Sequence, residues 1–345
     1  MIIHPFNIKL NSKSTIGSAL MRPLREEGIL PRVVDVGARS GFFELPNNFT
    51  KQAEFIGFEP NQVEYDKLQR QNTDSILAGG RNAEFFIRKY YPTAIWSDSL
   101  QHDLNITVGP GSCTLSGDVV EALTRNMYQE TLQNISFHER HHVVQRKEKV
   151  KCATLDSTLD DNKIIDYLKI DVEGGELEVL KGAEKLLLNK EILFIKTEFL
   201  LTPYYKNNVL LGDQQVYLNK MGYRLIDFDL LHLKYLRRPS MIPSEVDRRP
   251  RCAGDAFFML DPDLIKLDGM SAHRLGIILF LFGYNSLAMS LFEDAKLLES
   301  EQIKKIEKAL SKIPFHKRIK KIWCDFPYKI WPLFQSIGLF KNKSN

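Results

Sequence analysis

Three carboxylates stand close together in Asp171-Val172-Glu173-Gly174-Gly175-Glu176, directly after the apolar stretch Leu168-Lys169-Ile170. A second acidic turn lies upstream, Asp35-Val36-Gly37-Ala38-Arg39-Ser40-Gly41, and 24 residues beyond Asp35 comes Glu59, in Gly57-Phe58-Glu59-Pro60. Gly37 and Gly41 allow the backbone to turn sharply and approach a ligand with no Cβ in the way. Asp35 sets a carboxylate beside that turn, where a cationic amino-acid moiety can be held. Glu59 can accept hydrogen bonds from both hydroxyls of an adenosine ribose. The later acids suit proton transfer. A hydroxyl is a poor nucleophile until it loses its proton, so a carboxylate within reach serves as general base. Asp171 is the first candidate, with Glu173 and Glu198 beside it because neighbouring strand ends open on one cleft. Plainer readings stand next to these: Asp171 capping the helix that begins near Gly175, Glu176 favoured there by the helix dipole, and Lys169 forming a structural salt bridge.

These residues need strands to carry them, and the sequence supplies them. Arg32-Val33-Val34-Asp35-Val36 is a β-branched run that stops at a glycine turn, the pattern of a buried parallel strand. Ala53 to Phe58, Phe85 to Ile95, Ile165 to Ile170 and Ile192 to Glu198 read as further strands. Helices are expected over residues 14–27, Gln62 to Asn72, Glu176 to Leu188 and Gln214 to Met221. Tyr223 to Asp227 and Ala256 to Leu260 close the sheet as an antiparallel pair. Strands alternating with helices predict a doubly wound, mostly parallel α/β sheet with ligands at the carboxyl ends of its strands. The expected division is a helical lead-in over 1–30, the α/β domain over 31–262 and a helical extension over 263–345.

The first turn is not a dinucleotide fingerprint, because position 39 is arginine where GxGxxG needs glycine. A phosphate-cradling GxxxxGK[ST] is also missing. S-adenosylmethionine carries no phosphate and makes no such demand of the backbone, so it is the expected cofactor in place of NAD.

The chain resembles the FkbM family of methyltransferases. Val33-Val34-Asp35-Val36-Gly37-Ala38 and Phe58-Glu59-Pro60 are similar to the opening motifs of that family, and Ala94-Ile95-Trp96-Ser97-Asp98 to its strand-end segment near the adenine. Gly111-Ser112-Cys113-Thr114-Leu115 resembles a serine-rich turn, and Thr154-Leu155-Asp156 a short strand before the core. The most specific block is Leu168 to Glu176 with Val179-Leu180-Lys181-Gly182-Ala183, similar to LKIDVEG-x-E followed by vLKGA; Thr197-Glu198 matches the acidic residue of the fifth strand. The resemblance spans roughly residues 31–230. It implies a Rossmann-like class I methyltransferase sheet, and cofactor contacts from Asp35, Gly37, Ala38, Gly41, Glu59, Ala94 and Trp96. It also implies O-methylation of a hydroxyl on a sugar, glycan precursor or other small molecule. Arg39 and Ser40 depart from the asparagine that relatives often carry. A protein that kept the fold and lost turnover, acting as a binding scaffold, is the competing reading.

Other features narrow the field. A formal charge of +4 on 345 residues is too small to suggest nucleic acid, and the acidic turn at 171–174 would repel phosphate. Cys113, Cys152, Cys252 and Cys324 form no CxxC pair, and MIIHPFNIKLNSKS lacks the apolar core of a signal peptide, so a cytoplasmic enzyme is expected. Leu275 to Phe292 is uncharged, yet Gly283-Tyr284-Asn285-Ser286 divides it into a buried helical hairpin, not a membrane span. In the tail, Lys317, Arg318, Lys320 and Lys321 beside Trp323, Phe326, Tyr328 and Trp331 suit peripheral contact with a membrane surface. His138-Glu139-Arg140-His141-His142 matches HExxH formally, but Val143-Val144-Gln145 favours a strand where that motif needs helix. The segment reads better as part of a lid with one histidine near the acceptor. Carboxylates at neighbouring strand ends could hold magnesium, but two or three acids are a thin ligand set, and no metal ligand is assigned.

Overall fold

Arg32-Val33-Val34-Asp35-Val36 is buried at every position as strand β1 (Arg32–Val36), as is β2 (Glu54–Phe58). The computed structural model describes residues 5–11, 14–42, 44–70, 83–118, 127–129, 142–159, 161–206, 209–230, 233–235 and 250–311. Within them β1 and β2 join β3 (Ile87–Tyr91), β8 (Tyr167–Ile170), β9 (Phe194–Leu200), β10 (Tyr223–Leu230) and β12 (Ala253–Leu260) in one sheet. Its order is β10-β12-β9-β8-β1-β2-β3. The pairs among β3, β2, β1, β8 and β9 are parallel, and β12 runs antiparallel to both β9 and β10. This is the expected doubly wound sheet with its final antiparallel pair. The chain leaves β1 toward β2 and β3 and returns to β8 on the other side of β1, so the strand order reverses between β1 and β8. A crevice opens at such a reversal.

A smaller sheet roofs this crevice: β4 (Ala94–Ile95) and β5 (Gln101–Thr107) flank β7 (Val144–Ala153), while β6 (Met127–Gln129) pairs with β11 (Leu233–Tyr235). The expected third strand over Phe85 to Ile95 is therefore two strands in different sheets. Pro92 follows β3 at once, and with no N–H and a fixed φ it breaks the ladder. The start of β7 at Val144 agrees with the strand-forming character of residues 143–145.

Helices α1 (Ile16–Leu20), α2 (Arg22–Glu26), α3 (Asn47–Thr50) and α4 (Gln62–Gln69) precede the roof. The expected short strand at Thr154 to Asp156 is instead helix α5 (Leu155–Thr158), with the Thr154 hydroxyl accepting from the Ser157 N–H at 3.0 Å. Glu176 to Leu188 divides into α6 (Glu176–Lys181) and α7 (Glu184–Leu188). The Asp156 carboxylate accepts from Lys185 N–H and Leu186 N–H at 2.9 and 3.0 Å, which starts a new helix there. Helix α8 (Leu211–Lys220) follows β9.

The hairpin expected over Leu275 to Phe292 is α9 (Gly269–Leu281) and α10 (Asn285–Ala295), followed by α11 (Ser300–Ser311). Every residue of α9 from Ser271 to Leu281 is buried, in the same core as β1, β8 and the N-terminal Phe6, Ile16 and Leu20. Arg274 clamps Asp166 with two bonds of 2.7 Å, His273 Nε2 lies 2.8 Å from the Leu20 carbonyl, and Asp166 also accepts from the Arg32 N–H. Arg32 forks onto Asp161 and reaches Glu54. This network ties the amino ends of β1 and β8 together and leaves their carboxyl ends free for ligand. Among the described residues no helix is long and apolar enough to cross a membrane. The basic and aromatic tail beyond residue 311 and the histidines at 138 and 141 lie outside the described residues.

Candidate active site

The carboxyl ends of β1, β2, β8 and β9 and the roof enclose a cleft of about 420 Å³. Asp35, Gly37, Gly41, Glu59, Ala94, Trp96, Asp171, Glu173 and Glu198 all line it. Ala38 does not; it is buried, and its methyl stands against Gly57.

Register explains the first charged row. Asp35 pairs with Lys169 across β1 and β8, and Lys169 with Lys196 across β8 and β9. Two neighbouring lysines would repel each other. Each is compensated: Lys169 Nζ reaches Asp35 at 3.2 Å and Asp171 at 3.1 Å, and Lys196 Nζ reaches Glu44 at 2.7 Å and Asp255 at 3.2 Å. Tyr167 also donates to Glu44. Lys169 thus bridges two of the acids singled out in the sequence. Burial alone would lower its pKa, but Asp171, Asp35 and Glu44 hold it well above its ordinary value.

Asp35 is 1% exposed. Burial pushes its carboxyl up to about 7 against the opposing pull of Lys169. Glu59 is likewise buried and raised to about 7; its Oε1 accepts from Asn61 N–H at 2.8 Å, and the charge of Glu64 adds to the upward push. Gly37 has φ +89, and a Cβ there would stand 1.9 Å from the Asp171 carbonyl oxygen. Its first reason for being glycine is thus the crossing of the two chains at the strand-order reversal. Arg39 extends along the cleft wall. Its Nε lies 3.6 Å from Glu64 Oε2, beyond hydrogen-bond distance, and has no hydrogen-bond partner among the described residues.

At the other end the acids differ sharply. Burial pushes Asp171 up, but the charge and hydrogen bond of Lys169, with Lys196 and Arg39, more than offset it, and the carboxyl lies below its ordinary value. Its side chain is 44% exposed because it faces the cleft. Glu173 is raised to about 8 by burial and by the charge of Asp171, while the Tyr205 hydroxyl donates to its Oε2 at 2.9 Å. Glu198 is raised well above the carboxylate range by burial and then by Glu173 and Asp171. One carboxylate oxygen from each of Asp171, Glu173 and Glu198 lies within 4.8 Å of the other two. Asp171 does not cap α6. Glu176 takes the turn instead, its Oε1 accepting from Val172 and Gly174 N–H at 3.1 and 3.0 Å.

Sequence reasoning missed Glu44, Lys196, Asp255, Tyr204 and Tyr205. Asp255 left a signal, a lone charge within the apolar strand Ala253 to Leu260. The others left none, since they reach the site from a loop or by register. Of the HExxH segment, His142 is described: it is buried, precedes β7, and packs edge-on against Tyr204 with ring centres 4.9 Å apart.

Comparisons follow from this geometry. No curated protein matches this chain. Among solved structures, magnesium protoporphyrin IX methyltransferase from Synechocystis PCC 6803 with bound SAM is 9% identical, covering 71% of this chain and 77% of that one, with a TM-score of 0.29. The METTL16 MTase domain is 8% identical over 71% and 67%, TM-score 0.30. Human methyltransferase 10 domain containing protein is 10% identical over 72% and 83%, TM-score 0.29. The profile of the methyltransferase FkbM domain matches residues 35–225, more than half of the 345 residues and inclusive of every acid described above, and the chain belongs to that family.

Proposed function

We propose that this protein transfers a methyl group from S-adenosylmethionine to a hydroxyl of a sugar or another small hydroxylated molecule. The observation that carries the reading is that Asp35 and Glu59 open on the same cleft as Asp171, Glu173 and Glu198. The residues fit the cofactor. Glu59 suits the ribose hydroxyls, Ala94 and Trp96 the adenine, and Asp35 the cationic methionine end. The orphaned Nε of Arg39 is a donor for the methionine carboxylate. When bound, the cofactor supplies an electrophilic methyl group.

The protein's own part is alignment and proton handling. Holding the acceptor oxygen in line contributes much of the rate. Asp171, kept ionised by Lys169, is the residue able to take the hydroxyl proton at neutral pH. Glu173, near 8, stays largely protonated there and donates or accepts as the acceptor requires. The Lys169 bridge couples the cofactor end to the acceptor end through one ammonium group.

Calorimetric titration with S-adenosylmethionine, with NAD as control, tests the cofactor. Micromolar binding that disappears in Asp35→Ala and Glu59→Ala is the expected result. Incubation with hydroxylated sugars, read as S-adenosylhomocysteine formed, tests the transfer. Binding without turnover over a broad acceptor panel would shift the assignment to a scaffold, and a folded chain that binds no S-adenosylmethionine would end the proposal.

A further inference from the structure

We infer that Asp171, Glu173 and Glu198 form a divalent-cation site that takes an oxygen-seeking ion such as Mg²⁺, Mn²⁺ or Ca²⁺. The ion's service to an acceptor hydroxyl rests on the methyl-transfer reading; its binding does not.

Spacing is the first support. One oxygen from each residue lies within 4.8 Å of the other two. An ion with metal–oxygen distances of about 2.1–2.5 Å holds opposite ligands about 4.2–5.0 Å apart and adjacent ones nearer. The ligands come from two sheet strands, Asp171 and Glu173 just beyond β8 and Glu198 within β9, so the frame exists before any ion arrives.

Charge is the second. The cationic side chains lining the cleft are Arg39, Lys169 and Lys196, and each is already committed: Arg39 toward Glu64, Lys169 to Asp35 and Asp171, Lys196 to Glu44 and Asp255. Glu173 is met by the neutral hydroxyl of Tyr205. Among the described residues the Glu198 carboxylate has no ion pair or hydrogen bond. Asp171 spends Oδ2 on Lys169, which leaves Oδ1 for the ion. Like charges this close either take up protons or share a cation.

A third observation is independent of the acids. Tyr204 is 3% exposed, and its hydroxyl has no hydrogen-bond partner among the described residues. A buried phenol of this kind calls for an acceptor. The groups whose charge bears on it are Glu173, Cys252 and Glu198, so the hydroxyl is directed at the acid cluster. A water held on the ion supplies the missing oxygen. Three carboxylates leave open positions on a six-coordinate ion, and they face the cleft. Two adjacent hydroxyls of a vicinal diol fill two of them, which narrows the acceptor to that class.

The full-length chain, stripped of metal, is titrated with Mn²⁺ by the loss of the free-ion paramagnetic signal. Tb³⁺ is followed in parallel by emission excited through tyrosine, since Tyr205 touches a ligand. One saturable site is expected, with Mg²⁺ or Ca²⁺ competing. Glu198→Gln and Glu173→Gln should each weaken it at least about tenfold, and Asp118→Asn, a surface acid paired with Lys147 and Lys206, should not. Should the glutamine variants misfold, Tyr204→Phe combined with Tyr205→Phe locates the ion by abolishing the sensitised emission. No saturable binding to the folded wild type, unchanged affinity in Glu198→Gln, or undiminished emission in the double tyrosine variant overturns the site. Titration with S-adenosylmethionine in chelator separates the two readings: cofactor binding without Mn²⁺ binding removes only this site, and the reverse removes only the methyl-transfer reading.

Discussion

Gly37→Ala probes the point where fold and site coincide. Gly37 sits at the end of β1 with φ +89, and an added Cβ would lie 1.9 Å from the carbonyl oxygen of Asp171. An L residue in a left-handed conformation costs about 1–2 kcal/mol. Forcing two backbones apart resembles overpacking a core, about 1–3 kcal/mol more. The expected loss is therefore about 2–5 kcal/mol, a large share of the stability of about 5–15 kcal/mol typical of a folded chain. Parting the chains also breaks the 3.0 Å bond from Asp171 N–H to the Val36 carbonyl and tilts Asp171 away from Lys169. Gly212→Ala is the matched control. It lies in α8 with nothing within 4 Å of the added carbon, and a helical alanine should stabilise it by about 0.5–1 kcal/mol. Urea midpoints of wild type and both variants measure the difference, and calorimetry with S-adenosylmethionine measures the site. A Gly37→Ala protein within about 1 kcal/mol of wild type, with undiminished cofactor affinity, would refute the close crossing of β1 and β8.

Three further outcomes follow from the charged groups. Glu59 is raised by burial from an ordinary 4.5 to about 7, so between those values the folded chain holds a proton that the unfolded chain releases. Its stabilising contribution is complete below pH 4.5 and is lost as pH rises to about 7; urea midpoints against pH should be flatter across that window in Glu59→Gln, and parallel curves would count against the burial of this carboxyl. Arg274→Met leaves Asp166 buried without its clamp and should cost about 3–5 kcal/mol, with Asp166→Asn in the same chain restoring part of it; simple additivity in the double-mutant cycle would deny the pairing. Asp171→Asn should lower kcat by about 10²–10⁴ once an acceptor is in hand while S-adenosylmethionine affinity changes less than tenfold, and an unaltered kcat would remove Asp171 as the base.

Much of the fold was legible because it rests on local patterns. Buried parallel strands show as β-branched runs closed by glycine or acidic turns, and the helical hairpin at 269–295 shows as apolar stripes divided by Gly283. The misreadings occurred where local propensity met a tertiary constraint. Phe85 to Ile95 has strand character throughout, and Pro92 hands its two halves to different sheets. Glu176 to Leu188 has helical periodicity throughout, and a distant carboxylate, Asp156, starts its second half afresh.

The candidate site divides in the same way. The sequence by itself determined which acids follow which strands, and so that Asp35, Glu59, Asp171, Glu173 and Glu198 would open on one crevice, because strand ends converge wherever a parallel order reverses. Tertiary structure alone decided how those acids differ. Lys169 lies beside Asp35 by register and two residues before Asp171, which keeps Asp171 ionised. Glu173 and Glu198 find burial and a like charge in place of a cation. A carboxylate's charge state depends on what lies within a few ångströms, and those neighbours come from loops and strands far apart in the chain.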